Sequence, residues 1–483
     1  MQSIHRVRSI MLGKTKTKIV CTIGPATSSK WMITSLVRAG MNVARLNLSH
    51  GTMKEHMTHI RMIRSLSHEL NTPIGILADL PGPKIRVGKV SPEPMTLRKG
   101  FEVTLTTGRS AGDQNAISIS HPSVLKRLDV QDTVFLADGT IRLTVQEKKG
   151  SDVFCNVARG GLLFSGKGVN IPGKELRLQA LTSNDIHLLK FALRNEVDFL
   201  GLSFTMTGND VTRVKRIVKD TNRDAWVIAK IERRQAIDNF DEILKEADGI
   251  MVARGDLGVE MGIEEVPIIQ KKIIAQANES GKPVITATQM LLSMVNAPTP
   301  TRAEVADIAN AIFDGTDAIM LSEETAVGKY PIEAVKVMRR VATTTEKNLL
   351  YERILESRRK LLGTVIQDSI SFSACDVAYR LGARCIVAHT RTGLTAQRLS
   401  KFRSSVPIIA LTHRTPVMNR LTLLWGVYPY QVRKLSTTTE IFESAKTTTL
   451  SSRMGLKNDR IVVVCGDPST PEGTTDLLRV QQI

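Results

Sequence analysis

Eight short apolar runs, rich in β-branched residues, stop on polar or charged residues along the first two thirds of the chain, and helical segments separate them. They are KIVCTIG (18 to 24), NVARLNLSHG (42 to 51), IGILADL (74 to 80), VDFLGLSF (197 to 204), WVIAKIE (226 to 232), GIMVARGD (249 to 256), PVITATQM (283 to 290) and AIMLSEET (318 to 325). Runs of this length and composition read as buried strands. Between them, TSSKWMITSLVRAG has a Thr/Ser start and a Gly stop, and TRAEVADIANAIFDG opens after Pro300 and closes on Gly315, which is helix punctuation. Eight βα units predict a closed parallel barrel rather than an open sheet.

One interval breaks the rhythm. The third and fourth runs start 123 residues apart, at 74 and 197, whereas the other neighbours start 23 to 35 apart. An inserted domain accounts for the excess. Its content, FEVTLTT, NAISIS, TVFLADGTIRLTVQEK and SDVFCNVARGGLLF, alternates and carries Gly and Asp turns, so a small antiparallel β-unit is expected above the barrel mouth. After about residue 345 a basic helical stretch, EKNLLYERILESRRKLL, leads into a new α/β alternation with strands RCIVAHT, VPIIALT, GVYPYQV and DRIVVVCG, an open doubly wound sheet. The expected fold is therefore α/β: a (β/α)8 TIM barrel (residues 1–86 and 176–345), an inserted β-barrel-like lid (87–175) and a C-terminal open α/β domain (346–483).

Composition narrows the function. No apolar run reaches 18 residues, and the basic start MQSIHRVRSIMLGKTK lacks an apolar segment long enough for a signal peptide, so a cytoplasmic protein without a membrane partner is expected. The five cysteines, Cys21, Cys155, Cys375, Cys385 and Cys465, show no CxxC spacing and read as buried free thiols. The formal charge of +19 fits nucleic acid, an anionic surface or anionic substrates. Aromatics to stack bases are few and no dense Lys/Arg run occurs, so nucleic acid is not expected.

In such a barrel the chemistry sits at the carboxyl ends of the strands, where this chain concentrates its charges. Arg45, Asn47 and Ser49 are spaced by two and would share a face, as would Lys230 and Glu232, with Asp256 ending the next strand. An inter-strand ion pair of Lys230 with Asp256 is the structural alternative. Two carboxylates, Glu232 and Asp256, suit Mg²⁺ or Mn²⁺, which imply a phosphorylated or enolic substrate whose remaining charge Arg45 and Lys230 would meet. Gly255 lets a backbone N–H approach an anion closely. Thr288 and Ser322, with Glu324, could relay a proton or merely cap helices. His50, in NLSHG, is the histidine beside the rim.

The segments ARLNLSHG, ADLPGPKIR, AKIE, GIMVARGDLGVE, PVITATQML and MLSEETAVGKYP resemble, in order and spacing, the signature segments of the pyruvate kinase family, and the resemblance continues to GTTDLLRV. It implies phosphoryl transfer from phosphoenolpyruvate to ADP, giving pyruvate and ATP in the last step of glycolysis. It implies Mg²⁺ on Glu232 and Asp256, Lys230 stabilising the transferring phosphoryl group and the enolate, and substrate contacts from Arg45, Gly255, Asp256 and Thr288. The segment Asn47 to His50, including Ser49, together with Arg86, falls on the nucleotide side. Thr288 and Ser322 belong to the path that protonates the enolate, with the donor left open. A homotetramer is implied as well, and no further phosphotransfer domain is expected after GTTDLLRV.

Many members carry an acid where Lys84 stands and a Thr where Leu80 stands, and need K⁺ held by the equivalents of Asn47, Ser49, Asp79 and the carbonyl of residue 80. Lys84 is therefore expected to supply the positive charge of that ion and to make K⁺ dispensable, because two cations in one small anionic pocket repel. An exposed loop lysine on a K⁺-dependent enzyme is the alternative. The turn HTRTGLTA (389 to 396), with Thr390, Arg391, Thr392, Gly393 and Thr395, resembles the family's effector loop, suited to a sugar-phosphate or nucleotide effector; a plain βα turn is the alternative. A barrel lyase or aldolase acting on pyruvate enolates would share Glu232 and Asp256, yet need neither the β-rich lid nor Arg86.

Overall fold

The eight expected runs form strands β1 (Lys18–Thr22), β2 (Val43–Asn47), β3 (Gly75–Asp79), β4 (Phe199–Leu202), β5 (Trp226–Ile231), β6 (Gly249–Ala253), β7 (Val284–Ala287) and β8 (Ala318–Leu321), each shorter than the apolar run that announces it. The computed structural model describes residues 15–107, 115–137, 139–174, 180–360 and 362–483. The expected 175/176 boundary and most of the basic start lie outside those residues. Each strand pairs in parallel with its sequence neighbours, and β8 closes on β1.

Strand alternation divides the burial. Val20, Val43, Leu77, Phe199, Ile228, Met251, Ile285 and Met320 fill the barrel interior, while Ile19, Cys21, Ala44 and Ile76 face the surrounding helices. The helix punctuation holds in detail. Ser29 caps Lys30–Ala39 by accepting the Met32 N–H, and that helix stops at Gly40 with φ 136°. Thr301 and Glu304 form a reciprocal cap on Arg302–Asp314, which ends at Gly315 in the left-handed region.

After Asp79 the chain leaves for the inserted unit, whose separate core runs from Ile85 to Ile171. Its six-stranded sheet is antiparallel except that Glu102–Thr106 and Ala116–Ser118 pair in parallel. Arg86 bridges to Gly168 at the two crossings between barrel and insert.

The C-terminal sheet has strands β9 (Cys385–His389), β10 (Ile408–Thr412), β11 (Val427–Gln431), β12 (Arg460–Cys465) and β13 (Leu477–Gln482), in the order β11-β10-β9-β12-β13. Separate apolar clusters cover its two faces, as a doubly wound sheet requires. The edge strand β13 is antiparallel and was not expected. Its sequence LLRVQQ is only partly buried, which blurs the alternation that marks a strand.

This domain is fastened to the amino-terminal end of the barrel. Arg403 places Nη1 2.6 Å from Asp317 Oδ1 and Nη2 2.9 Å from Oδ2, and Lys18 Nζ donates to the Val427 carbonyl at 2.6 Å. The carboxyl-terminal end of the barrel is left to the inserted unit. All five cysteines are free and buried. Among the described residues no helix is long and apolar enough to cross a membrane.

Candidate active site

A buried carboxylate organises the carboxyl-terminal rim. Asp79, the last residue of β3, accepts Nε of Arg45 at 2.8 Å and lies 2.6 Å from its Nη2. Lys230, near the end of β5, comes within 3.2 Å of the other Asp79 oxygen. Neighbouring Gly201 makes the space, since a Cβ there would lie 2.9 Å from Asp79 Oδ1. Burial would raise the Asp79 pKa, but the charges of Lys230 and Arg45 overcome it and hold the carboxyl below its ordinary range.

Lys230 also sits 2.9 Å from Glu232 Oε1 and donates to Ser203 Oγ at 2.7 Å. Burial disfavours its charge, yet Asp79 and Glu232 outweigh that and hold its pKa above the ordinary lysine value, so the ammonium stays charged. The expected alternative of a Lys230–Asp256 pair is replaced by these two partners. Glu232 is oriented by the Phe204 N–H, which its other oxygen accepts at 2.9 Å. Its pKa is raised by burial and by the neighbouring Asp256, against the opposing pull of Lys230.

Asp256 does not end a strand as expected. β6 stops at Ala253, and Asp256 lies in the first turn of the helix Arg254–Met261. Its Oδ1 lies 3.3 Å from Lys84 Nζ, so the loop after β3 reaches across the rim to the segment after β6. The donor set is thus two hard carboxylates, each paired with an ammonium, and among the described residues no cluster of three His, Cys, Asp or Glu gathers elsewhere. Mg²⁺ fits such a set, because it is ordinarily held by one or two carboxylates with substrate phosphates and waters.

Thr288 follows β7 with φ 66°, an uncommon conformation for a β-branched residue. Its hydroxyl accepts the Gly255 N–H at 2.9 Å and donates to the Ala287 carbonyl at 2.7 Å. Arg254 secures this turn through the Ala287 and Thr288 carbonyls and Asp307. After the adjacent strand β8, Ser322 Oγ is buried without a hydrogen-bond partner among the described residues. Both Glu324 oxygens are occupied, by the Leu291 and Ser322 N–H groups at 3.0 and 2.7 Å.

The other expected residues divide. His50 borders the rim, where burial and then the charges of Arg86, Arg45 and Lys84 lower its pKa and keep it neutral. Asn47 accepts the Ser49 N–H at 3.1 Å, while the Leu80 carbonyl already accepts Ser203 Oγ at 2.7 Å. Arg86 donates to the Gly166 carbonyl of the insert at 2.9 Å. Ser203, Phe204, Arg254 and Thr22, which accepts from Arg45 at 2.9 Å, were missed. Nothing in one serine after an apolar run signals that it bonds both a lysine and a carbonyl on another loop.

In the C-terminal domain, Thr390 Oγ1 accepts the Gly393 N–H at 2.9 Å, and Gly393 at φ 97° precedes the helix Leu394–Lys401. Arg391 donates to the Thr470 carbonyl at 3.0 Å, and Thr395 shares a 2.8 Å bond with Thr475. Thr392 stands beside them on the wall of a cavity of about 270 Å³ with His389 and Lys434.

Residues 14–335 match the family model described as pyruvate kinase, barrel domain, and residues 368–481 the model described as pyruvate kinase, alpha/beta domain. The chain is 44% identical to the pyruvate kinase of Thermococcus litoralis, over 97% of this chain and 98% of that one. It is 41% identical to the pyruvate kinase of Clostridium acetobutylicum, over 97% and 99%, and 42% identical to that of Geobacillus stearothermophilus, over 97% and 81%.

Proposed function

The chain belongs to the pyruvate kinase family, and on that premise we propose that its barrel rim carries out phosphoryl transfer from phosphoenolpyruvate to ADP without a monovalent cation, Lys84 supplying the charge. It is a phosphotransferase. The observation that carries the site assignment is the buried charge cluster in which Asp79 joins Arg45 to Lys230 and Lys230 continues to Glu232.

Phosphoenolpyruvate binds to Arg45, Lys230, the Gly255 N–H and Thr288, beside Asp256. The N–H already points at a hydroxyl, and an anionic oxygen can take that place. Lys230 neutralises charge on the transferring phosphoryl group and the enolate. It is preorganised by Asp79 and Ser203 at no cost during reaction. Asn47, Ser49, His50 and Arg86 face the nucleotide phosphates, where burial and then the charges of Arg86, Arg45 and Lys84 disfavour protonation of the His50 imidazole. Glu232 and Asp256 would hold Mg²⁺, or Mn²⁺, which when bound would supply neutralisation of the phosphate charge.

Of the two hydroxyls on the protonation path, that of Thr288 already donates its proton to the Ala287 carbonyl, while that of Ser322 has no partner among the described residues. Ser322 is therefore the group that passes the proton to the enolate.

The cation reading rests on charge already present. Arg45 and Lys230 both reach Asp79, and Lys84 adds a third cation to the rim. A further unit charge about 4 Å from one of them would be repelled by about 4 kcal/mol at an effective dielectric of 20. Lys84 meets Asp256 rather than Asp79, so its contribution is to the field of the rim and not to one ligand position. Turnover measured with tetramethylammonium as the monovalent cation, with and without added KCl, tests this.

The loop Thr390 to Thr395 binds a sugar-phosphate or nucleotide effector at the cavity it borders, the chain assembles as a homotetramer, and it works in the cytoplasm. Activation titrations and the solution mass check the first two.

A further inference from the structure

A larger cavity, about 610 Å³, opens at the opposite end of the barrel, where the C-terminal domain meets it. Its barrel wall comes from the amino-terminal ends of β5, β6 and β7: Asp224 and Trp226, Asp248, and Lys282, joined by Lys215 from the helix Gly208–Asp220. Its other wall includes Thr392, Gln397, Arg414 and Arg420. None of these residues belongs to the catalytic rim.

The charges do not balance. Four cations face two carboxylates, an excess of two positive charges. Lys215 is paired with Asp248 at 2.7 Å, and Asp224 is shared between Arg420 and, at 3.7 Å, Arg414. Among the described residues Lys282 donates to the carbonyls of Leu244 and Lys245, with the charges of Lys215, Asp248 and Glu246 acting on it. Arg420 is 6% exposed, and its Nε is buried with no hydrogen-bond partner among the described residues. A buried donor left unmet costs about 1–3 kcal/mol, more when charged, and calls for a partner, a bound ion among the candidates. The guanidinium is held in place from two other directions, by Asp224 and by the Trp226 ring 5.5 Å away.

We propose that this cavity binds a phosphate dianion, free or as the monoester of a small metabolite, through Lys282, Arg414 and Arg420. A monoester carries about −1.5 to −2 charges near neutral pH, which matches the excess. A volume of about 610 Å³ lies within the roughly 300–1,000 Å³ of small-molecule sites. The Thr392 hydroxyl and Gln397 amide offer partners for the remainder of a metabolite. Because Thr392 also lines the smaller cavity, and Gln397 donates to the Gly281 carbonyl of the barrel at 2.9 Å, a ligand here touches the effector loop and both domains at once. The site is independent of the reaction at the other rim.

Binding of inorganic phosphate and of glycerol 3-phosphate to the full chain, followed by calorimetry, tests it. The Lys434→Gln variant removes a cation from the smaller cavity and leaves this one whole. A saturable site should persist in Lys434→Gln and weaken by about tenfold or more in Arg414→Gln, the scale of one charge-assisted hydrogen bond. Arg414 is partly exposed and, among the described residues, its side chain makes only the 3.7 Å ion pair, so its variant should unfold at the wild-type temperature; Lys282→Gln gives a second reading. Either ranking of the two ligands supports the site and identifies its occupant as free or esterified phosphate. Absence of saturable binding in Lys434→Gln, or binding unaffected by both Arg414→Gln and Lys282→Gln, overturns the proposal.

Discussion

Lys84 Nζ lies 3.3 Å from Asp256 Oδ1, joining the loop after the third barrel strand to the helix after the sixth. The pair is partly exposed, about 30% for each side chain, so as an ion pair it adds little to stability. Its importance is positional. Lys84, Arg45 and Lys230 together set the positive field of the rim proposed as the active site.

Reversing that charge should change the cation requirement. In Lys84→Glu the rim loses a cation and gains an anion, so turnover in tetramethylammonium should fall by about tenfold or more and recover on adding KCl. Recovery by K⁺ separates this from simple damage, which added salt would not repair.

Removing Lys230 should do more. Lys230→Met leaves Asp79 and Glu232 without their shared partner and removes the charge beside the transferring group. We expect kcat to fall by about 10² or more, on the scale of one lost oxyanion donor. Thermal unfolding should show destabilisation of about 3–5 kcal/mol from the broken buried pair. Near-normal turnover would contradict the assignment.

Ser322→Ala should separate proton transfer from phosphoryl transfer. Its hydroxyl has no partner within the described protein, so stability should be unchanged. Exchange of the pyruvate methyl protons with solvent should slow by about 10². Exchange at the wild-type rate would move the donor role elsewhere.

The junction at the far end of the barrel has its own pH signature. Lys18 is wholly buried under Tyr428, its Nζ 4.4 Å from the ring, and its pKa is lowered to about 7 by burial, against the charges of Glu346 and Asp317. An unfolded lysine titrates near pH 10.4, so between about pH 7 and 10 the unfolded chain binds the proton and the folded one does not. Stability should therefore rise with pH in that window, by up to about 1.4 kcal/mol per unit from this group. Lys18→Met should lose that rise. Parallel unfolding profiles for the two proteins from pH 7 to 9.5 would contradict it.

Much of the architecture was legible because buried parallel strands leave little freedom. Each of the eight runs had to be apolar on both faces, and the switch to polar residues at its end marked the rim where Arg45, Asp79, Lys230 and Glu232 meet. The legible part ended where partners come from different loops. Nothing local says that Ser203 links Lys230 to the Leu80 carbonyl, or that Lys84 would find Asp256 instead of Asp79. Asp256 itself was placed on a strand because GIMVARGD reads as one apolar run until the helix after Ala253 is seen. The unmatched Nε of Arg420 needs two domains in place before it becomes visible.

The central claim is that this rim runs the reaction on its own cations. A lactate-dehydrogenase-coupled assay with ADP, phosphoenolpyruvate and Mg²⁺ in tetramethylammonium buffer tests it directly. Turnover should lie within about twofold of that reached after adding KCl, a difference of less than about 0.5 kcal/mol in the barrier. A rise of tenfold or more on adding KCl would contradict the claim and return Lys84 to the status of a loop lysine.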